Sequence, residues 1–511
     1  MKRLLYSAIL LAVILVPEIG WSQIQPFLKG TDLSFLTQVE THGGVFRDSS
    51  RIKDAIQIFK DHGFNYVRLR IWHSPPSNPY DLDATLMLAE RVKAQGMKLL
   101  LDFHYSDTWA DPAHQTKPAA WDALSFTALR ESVYQYTKSV IRRLKDHNTL
   151  PDIVQIGNEI SCGMLWYDGN VCGSYNTPLQ WNNLKQLITA GIDGVRDPLD
   201  PSDSIRIMIH SDKGGNNAAC RWFFSNLLAS GVTFDIIGLS YYPWWHGSLN
   251  QLSSNINDLA VRFGKDIIVV ETAYPWTLQW YDNKNNIIGD SSQLLPEYPA
   301  TVEGQLTFLS DLQSVIHSVP DGRGKGVFYW EPAWLGSSAF GSSWENLALF
   351  DFTGNVQASF RAFDPVMINI DVHQKWNLIS VPVITFNVQP QSLFPSITSS
   401  AFRFTSTGYT TTDSLYPGNG YWLKFPANQS IMVAGDSLLA LTVETTPGWN
   451  LIGSISAPIL ASRIVQQPPG IVSSAYFRYE NGYFPTDTLI SGKGYWVKVD
   501  QMGKLILSVD Q

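Results

Sequence analysis

From residue 27 to about residue 363, short apolar or β-branched runs alternate with stretches whose apolar residues return every three or four positions. The runs occupy residues 27–32, 66–71, 98–104, 153–159, 205–210, 236–242, 267–271 and 326–331, eight in all. These short apolar or β-branched runs predict strands, and the 3.6-residue rhythm of segments such as 52–62, 86–94, 127–145, 181–195 and 302–317 predicts helices between them. Eight strand-helix units in a segment of this size predict an α/β fold, a (β/α)8 TIM barrel, over residues 23–365.

The ends of the runs carry a second regularity. They finish in Arg70-Ile71-Trp72, Asp102-Phe103-His104, Asn158-Glu159, His210, Ser240-Tyr241-Tyr242, Glu271 and Trp330-Glu331. All strand C-termini of a parallel barrel open on one face, so these side chains are expected to converge there.

After Pro365 the helical rhythm stops, and Ser, Thr, Gly, Pro and aromatic residues dominate. Trp376-Asn377-Leu378-Ile379-Ser380 recurs as Trp449-Asn450-Leu451-Ile452-Gly453, and Thr412-Asp413-Ser414-Leu415 recurs as Thr486-Asp487-Thr488-Leu489. Gly420-Tyr421-Trp422-Leu423-Lys424 returns as Gly494-Tyr495-Trp496-Val497-Lys498, at the same offset of about 74 residues. Residues 366–511 are therefore expected to form a smaller all-β region of two repeats, about 373–430 and 446–511. Two roles fit this region: a carbohydrate-binding module using Trp422 and Trp496, or a structural β module for spacing, attachment or secretion.

Composition narrows the function. A formal net charge of -8 leaves no basic surface to neutralise a phosphate backbone, which excludes nucleic acid as a partner. The 18 Trp, 21 Tyr and 25 Phe offer flat faces of the kind that stack on sugar rings, besides filling a core. Met1-Lys2-Arg3, the apolar run from Leu4 to Val16 and the small residues Gly20 and Ser22 read as a signal peptide over residues 1–22. No later stretch is apolar for long enough to span a membrane. The chain is thus expected to be secreted or cell-surface, and a monomer. Cys162 and Cys172 are spaced to close a short loop, with Cys220 left over and no zinc-type pair.

Glycoside hydrolysis needs two carboxyl groups, one protonated to help the leaving oxygen and one ionised. Glu159 ends the fourth run and Glu271 the seventh, on opposite sides of a barrel mouth. Arg68 or Arg70 and Tyr242 are candidates to hold Glu271 ionised, and Asn158 to bond the sugar's 2-hydroxyl.

The run Leu101-Asp102-Phe103-His104-Tyr105-Ser106-Asp107-Thr108-Trp109-Ala110-Asp111-Pro112 is similar to a signature of the family 53 glycoside hydrolases, the endo-β-1,4-galactanases. Val67-Arg68-Leu69-Arg70-Ile71-Trp72, Gly157-Asn158-Glu159, Gly238-Leu239-Ser240-Tyr241-Tyr242-Pro243 and Val270-Glu271-Thr272-Ala273-Tyr274-Pro275 support the resemblance. So does Tyr329-Trp330-Glu331-Pro332-Ala333-Trp334, and the likeness extends over about residues 27–363. It implies a retaining enzyme cutting the β-1,4-galactan of type I arabinogalactan, a pectin side chain, with Glu159 as acid/base and Glu271 as nucleophile. It implies a shell of Arg68, His104, Asn158, Tyr242 and Trp330 around the reactive subsite; Trp109, Trp244, Trp276 and Trp334 are candidates to stack on sugar rings, and Asp107 to contact substrate. No cofactor is implied for the chemistry. A structural calcium ion, as in bacterial relatives, would draw on Asp282, Asn286, Ser342 and Glu345. Tyr167 departs from the family pattern, where proline is usual. The rival readings are another retaining endo-β-glycosidase of the same clan, acting on mannan, xylan or cellulose, and a carbohydrate-binding protein without turnover.

Overall fold

The computed structural model describes residues 26–76, 80–337, 339–385 and 387–509; the signal peptide expected at 1–22 lies outside them. The chain divides into two compact units, one over Phe27–Asp364 and one from Pro365 onward.

The first unit is a closed barrel of eight parallel strands, each next to its neighbour in sequence. They are β1 (Leu28–Asp32), β2 (Tyr66–Ile71), β3 (Lys98–Phe103), β4 (Ile153–Ile156), β5 (Arg206–Ser211), β6 (Ile236–Ser240), β7 (Asp266–Thr272) and β8 (Gly324–Tyr329), and β8 closes on β1. Every strand falls within two or three residues of the predicted run. The helices Ala55–Asp61, Leu82–Ala94, Phe126–Asp146, Pro178–Arg196 and Val302–His317 lie where the rhythm put them. Asn217–Ala229 and Leu249–Phe263 complete the ring, the latter opened by a Ser248/Gln251 capping box and closed by Gly264 in the left-handed conformation. Among the described residues no helix is long and apolar enough to cross a membrane.

The barrel interior is filled from below by Leu28, Tyr66, Leu100, Ile153, Met208, Ile236, Ile268, Val270 and Phe328. The fit depends on small residues opposite large ones: a Cβ on Gly30 would stand 2.1 Å from the Phe328 ring. A closed apolar floor of this kind confines water, and hence chemistry, to the opposite end, where the strand-end residues gather.

Above β4 the backbone leaves the strand abruptly. Gly157 (φ 80°) and Glu159 (φ 49°) are both left-handed, and the Ile160 N–H donates to the His210 carbonyl at 3.0 Å, which pins the turn. A non-glycine residue in this region is strained. The loop that follows is closed by a Cys162–Cys172 disulfide, Cys220 stays buried and unpaired, and the Trp166–Tyr167 peptide is cis.

The second unit consists of two β repeats. Each has a four-stranded antiparallel sheet, ordered Lys375–Ile379, Tyr421–Phe425, Ala401–Thr405, Gly408–Thr412 in one copy and Gly448–Ile452, Tyr495–Val499, Tyr476–Tyr479, Tyr483–Thr486 in the other. Each repeat also takes in one strand earlier than the recurring motif: Val366–Val372 pairs with Gln429–Ser437, and Ala440–Thr445 with Gly503–Ser508. These strands share alternation but no residue identities, so the motif alone placed the repeat boundaries too late. Both copies have their own apolar core. Between them the outer faces of the two sheets interlock through aromatic rings, with Phe404 edge-on to Trp496 at 4.7 Å and Trp422 edge-on to Tyr479 at 4.6 Å. Ser380 and Ser454, 74 residues apart, meet at 3.0 Å. Trp422 and Trp496 thus serve as packing between the repeats rather than as an open platform.

Candidate active site

Successive inward positions on a strand are two residues apart, so Arg68 and Arg70 both point into the barrel from β2, one layer apart. Arg68 is 1% exposed and makes four hydrogen bonds. Its Nη1 donates to Asp32 Oδ2 (3.0 Å) and Glu271 Oε1 (2.8 Å), and its Nη2 to Asp102 Oδ2 (2.8 Å) and Asn158 Oδ1 (2.9 Å). One cation therefore ties together β1, β3, β7 and the turn after β4. Arg70 is turned elsewhere: it pairs with Glu331 at 2.6 Å and lies 4.4 Å from the rings of Phe35, Tyr80 and Trp109. Of the two arginines offered by the sequence, Arg68 is the one bonded to Glu271.

Around Arg68 each polar group is held by a second. His104 Nε2 donates to Asp102 Oδ2 at 3.1 Å while its Nδ1 accepts from the Trp72 indole and the Ala110 amide. Gln155 Nε2 donates to Asp102 Oδ1 at 2.6 Å. Asn158 Nδ2 donates one hydrogen to the Ala110 carbonyl at 2.8 Å, leaving its second for a ligand. Burial alone would raise the Asp102 pKa, but the Arg68 charge and His104 overcome it and hold the carboxyl below its usual range. His210 is driven well below its usual pKa by burial and by the Arg68 charge, so it stays neutral.

The two glutamates face the same opening. Glu271 is 6% exposed; its Oε1 is bonded to Arg68 and its Oε2 to the Tyr242 hydroxyl at 3.1 Å. Glu159 is half-buried, and the Ser240 hydroxyl bridges it (2.6 Å) to Glu271 Oε2 (3.4 Å). Burial, then the negative charge of Glu271 and then that of Asp212 push the Glu159 carboxyl well above its ordinary pKa. Burial also raises Glu271, but there the Arg68 charge and hydrogen bond oppose it. Both carboxyls thus lie above their ordinary value, Glu159 well above it and Glu271 less so because Arg68 opposes burial there, which makes Glu159 the better acid and Glu271 the better carboxylate of the pair. Tyr242 is raised well above its usual range by burial and by the Glu271 charge, so it remains a phenol able to donate.

A cavity of about 890 Å³ opens beside Glu159, lined among others by Asp111, Asp212, Trp245, His246 and Gln251. Trp245 is 59% exposed there, and Asp212 is buried with Oδ1 unpartnered. Ser240 and His210 belong to strand ends that sequence reasoning flagged without a role; Trp245, one residue beyond a named tryptophan, was not singled out at all.

The remaining expected residues divide. Trp109 and Trp330 are half-buried, packed 6.2 Å apart above Arg70, and Trp244 lies against Tyr242 at 5.4 Å. Trp334 has one face covered by Phe35, stacked at 3.9 Å, and Trp276 packs on Phe352. Asp107 differs from expectation: its two oxygens accept from the backbone amides of Ser74 (2.9 Å) and Ala119 (2.8 Å), so it organises the loops instead of presenting a free carboxylate.

The four residues expected around calcium are also drawn together, with one exception. Asp282 Oδ2 and Glu345 Oε2 converge on Gly336, where an added Cβ would come within 2.4 and 2.3 Å of them. Glu345 Oε2 and Asn286 Oδ1 are buried acceptors without a donor, a donor set that suits a hard cation. The Ser342 hydroxyl does not fit: it donates to the Trp334 carbonyl and accepts from the Trp344 amide, so it is already committed. Among the described residues no three His, Cys, Asp or Glu side chains gather as a metal cluster.

Residues 28–363 match the profile of glycosyl hydrolase family 53. The chain is 48% identical over 345 residues to a protein of the bgaB 5′ region of Niallia circulans, covering 66% of this chain and 93% of that one. It is 38% identical over 362 residues to an arabinogalactan endo-β-1,4-galactanase of Cellvibrio japonicus, covering 69% and 93%. The catalytic domain of an Ignisphaera aggregans family 53 enzyme superposes with a TM-score of 0.62 at 36% identity, covering 66% of this chain and 95% of that one. The barrel, the paired glutamates and these matches agree: the chain belongs to glycosyl hydrolase family 53 and is a glycoside hydrolase.

Proposed function

We propose that this protein is a secreted, monomeric endo-β-1,4-galactanase that cleaves the galactan side chains of pectin with retention of anomeric configuration. The observation that carries the mechanism is the Ser240 bridge. Its legs of 2.6 and 3.4 Å cap the separation of the two nearest glutamate oxygens at about 6 Å. Retaining pairs stand at about 5–5.5 Å, and inverting pairs at about 6.5–9.5 Å to admit a water between them.

Glu271, kept ionised by Arg68 and Tyr242, attacks the anomeric carbon. Glu159, kept protonated by burial and by the charge of Glu271, gives its proton to the departing glycosidic oxygen. The free amide hydrogen of Asn158 meets the sugar's 2-hydroxyl, a contact that strengthens as positive charge grows on the ring. Glu159, now a carboxylate, takes a proton from water, which attacks the glycosyl ester and releases Glu271. Two carboxyl groups and water suffice, so the chemistry needs no cofactor. His104 orients the floor of this subsite, and Trp109, Trp330, Trp244 and the exposed Trp245 supply stacking faces along the cleft. Calcium, held by Asp282, Asn286 and Glu345, would fasten their loops and take no part in the reaction.

Galactan as substrate rests on the names of the relatives and on the signature around Asp102–Pro112. A panel of β-1,4-galactan, mannan, xylan and cellulose with reducing-sugar readout tests it; release from galactan is expected, and release from mannan with none from galactan would overturn it. Glu271→Ala is expected to abolish turnover while ligand binding survives.

A further inference from the structure

Ser240 stands between the two glutamates with no part in the scheme above, yet its surroundings are highly specific. Its hydroxyl oxygen lies 2.6 Å from Glu159 Oε1, 3.4 Å from Glu271 Oε2 and 2.9 Å from His210 Nε2, and its side chain is fully buried. A serine hydroxyl has one hydrogen to donate and two lone pairs, and it rotates to suit its neighbours.

The state of His210 decides where that hydrogen can go. Its Nδ1 receives the Glu159 backbone N–H at 3.3 Å, a donor whose direction cannot reverse. The Asn158 Oδ1 also lies 2.9 Å from Nδ1, but it already accepts from Arg68 Nη2, and Gln155 Nε2 stands as a further donor 3.0 Å from it and 3.1 Å from Nδ1. The neutral ring therefore carries its hydrogen on Nε2 and donates it to Ser240. With that donor fixed, the Ser240 hydrogen is left for the glutamates.

We propose that the Ser240 hydroxyl hydrogen follows the negative charge from Glu271 to Glu159 and back during each turnover, making Ser240 a positioning residue for both. This rests on the acid/base and nucleophile roles proposed above. Before substrate binds, protonated Glu159 donates to the Ser240 oxygen while Ser240 donates to the Glu271 carboxylate; once the glycosidic oxygen is in place, the same Glu159 proton turns to it. In the glycosyl-enzyme, Glu271 is an uncharged ester and Glu159 a carboxylate, so the hydroxyl turns and donates to Glu159. No proton leaves Ser240 or His210 at any stage. The Glu159 proton goes to the leaving oxygen and is replaced from the attacking water. Rotating a hydroxyl keeps the site hydrogen-bonded in both charge states without moving a heavy atom, which is the preorganisation a two-step displacement needs.

The other charged or titratable groups facing these residues are Arg68, Asp32, Asp102, His104, Asp212, Tyr242 and His246, all left in place by substitution at Ser240. The test compares full-length wild type and Ser240→Ala in the pH profile of kcat/KM on β-1,4-galactan, whose alkaline limb reports the acid Glu159. Loss of a donor to the carboxylate is expected to move that limb up by about one pH unit. On a 2,4-dinitrophenyl β-1,4-galactobioside, whose leaving group departs without acid help, kcat is set by ester hydrolysis and is expected to fall about tenfold. Ser240→Cys, a weaker donor of similar size, is expected to lie between the two and serves if the alanine variant does not fold. An alkaline limb that stays in place in the variant overturns the proposal, whatever happens to the rate. A wild type that cuts another β-glycan but not galactan would overturn the substrate assignment alone, and the same pH comparison would then be made on that glycan.

Discussion

Arg68 is the residue whose removal should be felt both in folding and in catalysis. Replacing it with methionine keeps the length of the side chain and deletes the cation that touches Asp32, Asp102 and Glu271, each at 3.0 Å or less. All four groups are almost fully buried, so the carboxylates are left with no solvent to replace the guanidinium. Breaking a buried ion pair from one side costs about 3–5 kcal/mol, and three acceptors sharing one cation place this variant at the upper end. For a unit as large as this barrel, about 2 °C per kcal/mol, the melting temperature should fall by roughly 8–10 °C. The sign with pH follows from the carboxylates. Without Arg68 the folded-state pKa values of Asp102 and Glu271 rise, so the deficit is smallest in acid, where they are protonated, and widens as pH increases. The same rise in Glu271 should move the acidic limb of kcat/KM upward, because the nucleophile must be ionised. Differential scanning calorimetry at several pH values, paired with a pH-rate profile, reads all three effects. A melting temperature within a degree of wild type together with an unmoved acidic limb would refute the reasoning.

Four further outcomes are expected. Glu159→Gln removes a carboxyl whose folded pKa is raised by burial; a raised carboxyl loses its stabilising proton as pH climbs from its unfolded value, so the variant should gain melting temperature relative to wild type with increasing pH, and a constant difference across pH would count against a raised Glu159. Tyr242→Phe takes one donor from Glu271 and should lower kcat about tenfold while KM changes little, since a hydrogen bond to a charged group is worth about 1.5–3 kcal/mol and part is regained from Ser240. Calcium at millimolar concentration should raise the melting temperature of wild type and leave Glu345→Gln unchanged; equal response in both would remove Glu345 from the site. Trp496→Ala should destabilise the second unit by about 3–5 kcal/mol, whereas Trp376→Ala, at 39% exposure on the rim of the same aromatic face, should cost much less; comparable losses would contradict the interlock as drawn.

The barrel was legible because its strands, buried on both faces, are short runs rich in apolar and β-branched residues, broken where Arg68, Arg70 or Asp102 serves the site, while the helices between them keep one wet face. The two glutamates were legible for the same reason, since a charged residue directly after such a run can only sit at the open end. What the linear pattern could not carry was distance across the barrel. Arg68 and Arg70 are equivalent by alternation, and only the offset between β2 and β7 decides that the first reaches Glu271. Ser240 is one polar residue at the end of β6, and its place between Glu159 and Glu271 exists only once three strands are side by side. Asp107 shows the converse: it lies inside the most specific motif of the chain, yet two backbone amides from distant loops claim its oxygens. In the second unit the repeat was visible, but that Trp422 and Trp496 face each other's copy could not be read from either copy alone.

The account depends on Glu159 and Glu271 working in succession on the same sugar, and the stereochemistry of the first product tests this most directly. Proton NMR during the opening minutes of galacto-oligosaccharide hydrolysis by the full-length protein should show the β-anomer appearing first and mutarotating to the α-form. An α-anomer formed first would contradict the account.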